Sequence, residues 1–393
     1  MNTTTFSLRI SLIVCILLLS ACQSTSPVHL EPPSHLLEKP QFQSIEIESQ
    51  NTIFELDDDI KEQLSRVFGT ENSSVSQARQ LLKYLMRNGD NSMAYQSGAN
   101  LTASETFRNL NANCLSLSIL AYSMSEYIGL NSQFQRVLIP EYWDQSHGYS
   151  LLTGHVNLKV TQRRIRHNGN ISLSFTDPEA MIVDFDPNSR QQSFKTELID
   201  KNRITAMYYN NKGARALLEK DYNTAFNYFR EAVTVDPSYS GAWGNLGVLF
   251  RTTGDLAAAE NAYNHAYKLD NNATALGNLA LLYRLTNRES LAKPIEQQLA
   301  RARDSNPYYH IMLGNEAFEN NDFNEALSRY RKARDSDPQL HFSYFGLAKV
   351  YFALGERDKA TENMEKAYRL ADFEHEKERY SSKLRWLNAV VKN

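Results

Sequence analysis

From residue 206 onward the chain repeats itself, and this repetition constrains the fold more than any other feature. Units start at Ala206, Ser240, Ala273, Pro307 and His341. Counting each start as position 1, small residues recur at positions 8, 20 and 27, and large ones at 4, 7, 11 and 24. The first unit carries Gly213, Ala225, Phe229 and Ala232, with Pro237 at position 32. The second carries Trp243, Leu246, Gly247, Phe250, Ala259, Tyr263 and Ala266. Leu313, Gly314, Ala326, Tyr330, Ala333 and Pro338 mark the fourth, and Leu347, Ala348, Tyr351, Ala360 and Ala367 the fifth. The third is degenerate. It keeps Leu279, Ala280, Tyr283 and Ala292, but Glu296 and Leu299 replace the aromatic and the alanine, and Pro294 interrupts its second helix.

Small residues at these positions let two antiparallel helices approach closely. The large residues fill the space between neighbouring pairs, and proline at position 32 ends the second helix. Fourteen of the 21 tyrosines lie between 206 and 372, and this packing accounts for them without a cofactor site. The pattern resembles the tetratricopeptide repeat. The resemblance implies an all-α solenoid over 206–372, with a concave face that takes peptide or protein segments. Positions 2, 5, 9 and 12 of each first helix would line that face. In the last two units these include Ile311, Phe318, Phe342, Phe345 and Phe352. The alternative is that these residues pack internally or against the C-terminal segment. There, within 373–393, Glu374 to Val391 reads as a capping helix with Tyr380, Leu384, Leu387 and Val391 on one face.

At the other end, Ile10 to Leu19 is an apolar run preceded by Arg9. It is too short to span a bilayer, which needs about 20 residues, and has the size of a signal-peptide core. It leads into Leu19-Ser20-Ala21-Cys22, which resembles the lipobox of bacterial lipoproteins. That resemblance implies removal of 1–21, lipidation of Cys22 and a membrane anchor. Gln23 after the cysteine favours the outer membrane, facing the periplasm. Pro27, Pro32, Pro33 and Pro40 make 22–50 read as an extended tether. No later apolar run reaches about 18 residues, so no internal span is expected. A net charge of −3 with no basic stripe argues against a nucleic-acid partner.

Residues 51–200 carry the chemistry, if there is any. Thr102-Ala103-Ser104-Glu105 fits a capping box. A helix is predicted from Cys114 to Gly129, with Leu117, Leu120, Ala121 and Met124 buried. Strands are predicted after it, at Val137-Leu138, at His155–Val160 and at Met181–Phe185. Cys114 is the one cysteine left in the soluble part of the mature chain. A thiol at a helix N-terminus faces unpaired N–H groups and the positive end of the dipole, which favour the thiolate. A nucleophile also needs a base, and the base an orienting acid. His155 opens one strand and Asp184 closes another; if the two strands are antiparallel neighbours, these side chains meet. Asp186 shares the parity of Asp184 and is the alternative acid. His147 reads as a loop residue and His167 as a solvated hairpin residue. No metal-ligand spacing and no phosphate-binding glycine loop appears, so no cofactor is expected.

These residues resemble the transglutaminase-like cysteine fold, a papain-related class, through Asn113-Cys114-Leu115-Ser116, His155-Val156-Asn157 and Val183-Asp184-Phe185. The whole chain is similar to bacterial lipoproteins that join such a domain to tetratricopeptide repeats. The resemblance implies an α+β domain ahead of the solenoid, with Cys114 as nucleophile, His155 as base and Asp184 as orienter. Asn113 or Asn111 would complete an oxyanion site. The implied activity is hydrolysis or acyl transfer at an amide of a protein or peptide, with the repeats recruiting a protein partner. The competing expectation is a non-catalytic interaction scaffold with an inactive domain.

Overall fold

The computed structural model describes residues 30–68, 80, 94–95, 99–109, 111–138, 143–146, 149–152, 155–161, 181–183, 195–371 and 374–390. Two short helices, α1 (Gln50–Phe54) and α2 (Asp58–Phe68), come first. They are followed by β1 (Ala94–Tyr95), α3 (Ala103–Arg108), β2 (Asn111–Ala112) and the longer α4 (Cys114–Tyr127). α3 starts at the expected capping box. The Thr102 hydroxyl accepts the Glu105 N–H, and the Glu105 carboxylate accepts the Thr102 N–H at 2.9 Å. α4 ends before Gly129, whose φ of 82° suits a residue without a side chain.

α4 packs on a four-stranded antiparallel sheet. Its strands are β3 (Asn131–Val137), β6 (His155–Thr161), β7 (Met181–Val183) and β8 (Thr196–Ile199), in the order β7-β6-β3-β8. β4 (Trp143–Ser146) and β5 (Tyr149–Leu152) form a separate hairpin. The periodicity of α4 pointed to one buried face. Instead Leu115 and Ile119 are buried too, with Ser116, Ser118, Ser123 and Ser125. The sheet covers one side, α1 and α3 another, and the first helix of the solenoid a third.

The solenoid is five helix pairs and a cap. The pairs are α5 (Lys201–Leu218) with α6 (Tyr222–Val235), α7 (Ser240–Thr252) with α8 (Leu256–Asp270), and α9 (Ala273–Leu285) with α10 (Glu289–Arg303). Then come α11 (Pro307–Glu319) with α12 (Phe323–Ser336) and α13 (His341–Ala353) with α14 (Arg357–Leu370), closed by α15 (Glu374–Val390). α5 begins five residues before the repeat register at Ala206, because Asp200 caps it by accepting the Arg203 N–H. Tyr380 and Leu387 of α15 are buried and Leu384 is half-buried, on the face that helix's pattern predicts; Val391 lies outside the described residues.

In the first, second and fourth pairs the close approach rests on an aromatic ring set against a glycine. A Cβ placed on Gly247 would lie 2.5 Å from the Tyr263 ring, which is fully buried. The fifth pair has Ala348 and Met364 at these positions, and the third pair also lacks the contact. Glu296 stands where the ring belongs and is held instead by two bonds from the Arg284 guanidinium, each 2.6 Å. The apolar core is continuous from Leu36 to Leu299 and begins again at Ala317.

Residues 34–49 depart from the expected tether. They form a strap across the first two pairs. Leu36 is fully buried, and Lys39 bonds Asp255 at 2.7 Å. Phe42 stacks on Phe226 at 4.5 Å, and the Asn227 amide donates to the Gln43 carbonyl at 2.7 Å. Glu48 accepts from the Tyr228 hydroxyl at 2.7 Å and pairs with Lys212 at 2.9 Å. Proline-rich composition speaks for an extended backbone, but an extended backbone is also what docks along a helical surface.

Two outcomes follow from this packing. Gly247→Ala should destabilise the chain by about 1–3 kcal/mol through overpacking. Gly244→Ala, whose nearest neighbour is Ala275 at 3.9 Å, should be neutral or gain up to about 1 kcal/mol; urea unfolding of both variants compares them. For the strap, burial opposes charge on Glu48, but the Tyr228 hydroxyl and Lys212 outweigh it and hold the carboxyl below its ordinary range. A carboxyl lowered on folding stabilises the fold above its unfolded value, and this is lost as pH falls through the folded value. Hydrogen exchange at residues 39–48 should therefore speed up as pH drops below 4.5 relative to the intrinsic rate, and Glu48→Gln should abolish that dependence.

Candidate functional site

The N-terminus of α4 is built from polar side chains. Asn113 is its N-cap, with extended backbone, and its Oδ1 accepts the Ser116 N–H at 2.9 Å. Its amide nitrogen donates to Asn100 Oδ1 at 2.7 Å. Ser116 Oγ accepts the Leu101 N–H at 2.9 Å and donates to the Ala99 carbonyl at 3.2 Å. The segment 99–101 is thereby fixed against the first helical turn. Asn211 of α5 donates to the same Asn100 oxygen at 3.2 Å, which ties this corner to the first repeat.

Cys114 is the first residue of α4 and is partly exposed. One turn later, Ser118 donates to the Val156 carbonyl of β6 at 3.4 Å. His155 is the residue before Val156; it is buried and stands opposite Val137 in β3. Cys114 and His155 thus flank one helix–strand contact. β6 and β7 are antiparallel neighbours, with Leu158 opposite Val183. Asp184 and Asp186 lie outside the described residues, as do His147, His167 and Cys22. Both ends of the Asn113 amide thus take part in holding the helix start. Asn111 lies in β2, opposite Ala94. Among the described residues no group of three or more His, Cys, Asp or Glu is placed to hold a metal ion.

Asn100, Asn211 and Ser118 were not anticipated. The available signal was serine spaced through an apolar helix, since a buried hydroxyl must find an acceptor. Asn100 carried no local pattern at all.

The residues expected on the concave face divide. Phe345 meets Tyr380 of α15 at 5.0 Å, and Phe352 meets Trp386 edge-on at 5.0 Å. The cap helix therefore covers part of that row. Phe342 lies beside His341 at 4.0 Å, while Ile311 and Phe318 pack half-buried against the core around Tyr330. α15 is itself fastened by His341, which pairs with buried Glu376 at 3.2 Å and bonds the Tyr380 hydroxyl at 2.9 Å.

Comparison with known proteins bears on the helical part. Residues 214–274 and 311–389 match the tetratricopeptide repeat. The C-terminal region is a solenoid of tetratricopeptide repeats. The segment between the two matches contains α10, where Glu296 replaces the ring. Superkiller protein 3 of Schizosaccharomyces pombe (strain 972 / ATCC 24843) is 25% identical over 169 residues, covering 40% of this chain. The chain spans only 12% of that protein's length. Similar solved structures include YrrB, described as a TPR protein with an unusual peptide-binding site, at 17% identity and a TM-score of 0.26. That match covers 45% of this chain and 92% of YrrB. MamA from Desulfovibrio magneticus RS-1, solved from residue 41 to its end, is 19% identical with a TM-score of 0.26, over 42% of this chain and 94% of the solved one.

Proposed function

We propose that the protein is a lipid-anchored interaction protein of the bacterial cell envelope. Its repeats hold a protein partner, and the N-terminal domain, joined to the first repeat by a common core, keeps that partner near the membrane. The observation that carries this reading is the tetratricopeptide match on both sides of the third helix pair. Stacked helix pairs of this kind offer extended surfaces to protein segments, and that role requires no turnover. Leu19-Ser20-Ala21-Cys22 supports the anchor. Acyl chains on Cys22 would hold the chain stably, at the outer membrane and facing the periplasm.

A second reading is favoured by one observation: Cys114 begins the helix that packs beside His155. In that reading the domain is a transglutaminase-like thiol enzyme. The Cys114 thiolate attacks an amide carbonyl, His155 protonates the departing amine, and Asp184 orients the imidazole. The thioester that forms passes its acyl group to water or to an amine.

Photocrosslinking in cells tests the first reading. A photoreactive residue in place of Phe342 should give protein adducts in the membrane fraction, and Cys22→Ser should move chain and adducts to the soluble fraction. Absence of adducts sinks the interaction reading; a Cys22→Ser chain that stays with the membrane sinks the anchor. For the second reading, alkylation of Cys114 in the full chain is followed by peptide mass across pH. The His155→Asn variant should shift the profile with the circular dichroism unchanged. Superimposable profiles would reject a Cys-His pair.

A further inference from the structure

Three cations converge at the C-terminal end of the solenoid, and among the described residues no carboxylate bonds any of them. Lys349 of α13 lies among the rings of Phe318 and Phe345, 4.8 and 5.6 Å from their centroids. Its ammonium donates to Asn315 of α11 at 3.3 Å. Arg379 and Lys383 of α15 approach the same Phe345 ring, at 5.2 and 5.9 Å. Burial holds the Lys349 ammonium below the usual lysine range; the field of Glu319 opposes this, and those of Lys383 and Arg379 add to it. An anion bound here would relieve that penalty.

The corner is also open and aromatic. Arg379, Ser382, Lys383 and Trp386 line a cavity of about 500 Å3. Trp386 is 52% exposed, and Phe352, which it meets edge-on, is 38% exposed. Counted in their units, Asn315 and Lys349 both stand at position 9 of a first helix, and Phe345 stands at position 5. These are positions of the face that receives extended segments. Arg379 donates to the Tyr380 hydroxyl at 3.1 Å, so Arg379 and Lys349 each have a neutral partner, and cations held by neutral groups beside exposed apolar rings suit a ligand that is both acidic and apolar. The net charge of −3 and the compactness of the cluster disfavour a nucleic-acid strand, which needs a basic track along its backbone.

We propose that this corner binds an acidic stretch of a protein partner. Its carboxylates are taken by Lys349, Arg379 and Lys383, and a neighbouring apolar side chain seats against Trp386 and Phe352. The proposal deepens the interaction reading and rests on it.

The test uses the full chain and a fluorescein-labelled peptide of alternating glutamate and leucine, read by anisotropy. The peptide should bind, with affinity falling as salt rises. Its glutamine counterpart should bind about tenfold more weakly or worse, and so should the glutamate peptide to an Arg379→Gln/Lys383→Gln chain, since each lost charge-assisted bond contributes strongly. Both substituted side chains are exposed, so the fold should persist, as circular dichroism would confirm. Equal binding of the two peptides, or of parent and double variant, overturns the site. Tighter binding of an oligonucleotide of equal length assigns the cations to phosphate and also overturns it. Adducts from position 342 without peptide binding would leave partner capture standing and remove this site alone.

Discussion

An aromatic ring pressed against a residue without a side chain is the contact on which the solenoid depends. Tyr330 shows this twice over. Its ring lies where a Cβ would sit on Gly314 of its own pair, 2.7 Å away, and on Gly346 of the next pair, 2.4 Å away. One buried side chain therefore sets both the spacing within a pair and the spacing between pairs. Interiors are packed so densely that a single added methyl must displace something. The Tyr330 hydroxyl, buried with the ring, is satisfied by Asn315 at 2.7 Å. Close approach, ring burial and hydrogen bonding are settled together.

Where that contact is missing, the architecture changes. Glu296 cannot lie against a small residue as a ring does, so it turns outward to Arg284. A half-exposed ion pair contributes little, and the apolar core stops at Leu299. The molecule is thus built in sections. The strap, the α/β domain and the first three pairs share one core, while the last two pairs and the cap helix have cores of their own. Asp304 helps to join them: its carbonyl bonds the fully buried His310 at 2.8 Å. The separation places the two candidate sites in different bodies, with Cys114 in the first and the cationic corner in the second.

The two sites also differ in how polar groups are handled. Around Cys114, amides and hydroxyls satisfy one another, and Asn100 receives donors from both the cysteine helix and the first repeat. Such a network rigidifies a corner because each member is costly to leave unpaired. Around Lys349, the opposite holds: positive charge is gathered, Glu319 acts on it only through its field, and among the described residues no carboxylate bonds it. The first arrangement looks inward to fold integrity, the second outward to a ligand.

Local pattern was enough for the repeats, because the pairings there join residues of the same or the next unit, 35 positions apart in the Asn210–Asn245 bond, and recur. It was enough as well for the Thr102 capping box, the span of α4, and the strands that begin at His155 and Met181. Each of these depends on neighbours in sequence: a cap and its third residue, or an alternation of apolar side chains. What folding added joins distant segments. Residues 34–49 look like a tether by composition, yet Phe42 finds Phe226 and Glu48 finds Tyr228, and no local rule encodes a partner 180 residues away. Asn100 and Asn211 are unremarkable singly and join Asn113 in one network only when α4 meets α5. Phe345 and Phe352 fit an open concave face by position, but α15 folds back over them. Periodicity reports which side of a helix is buried; what buries it depends on chain segments that meet only in three dimensions.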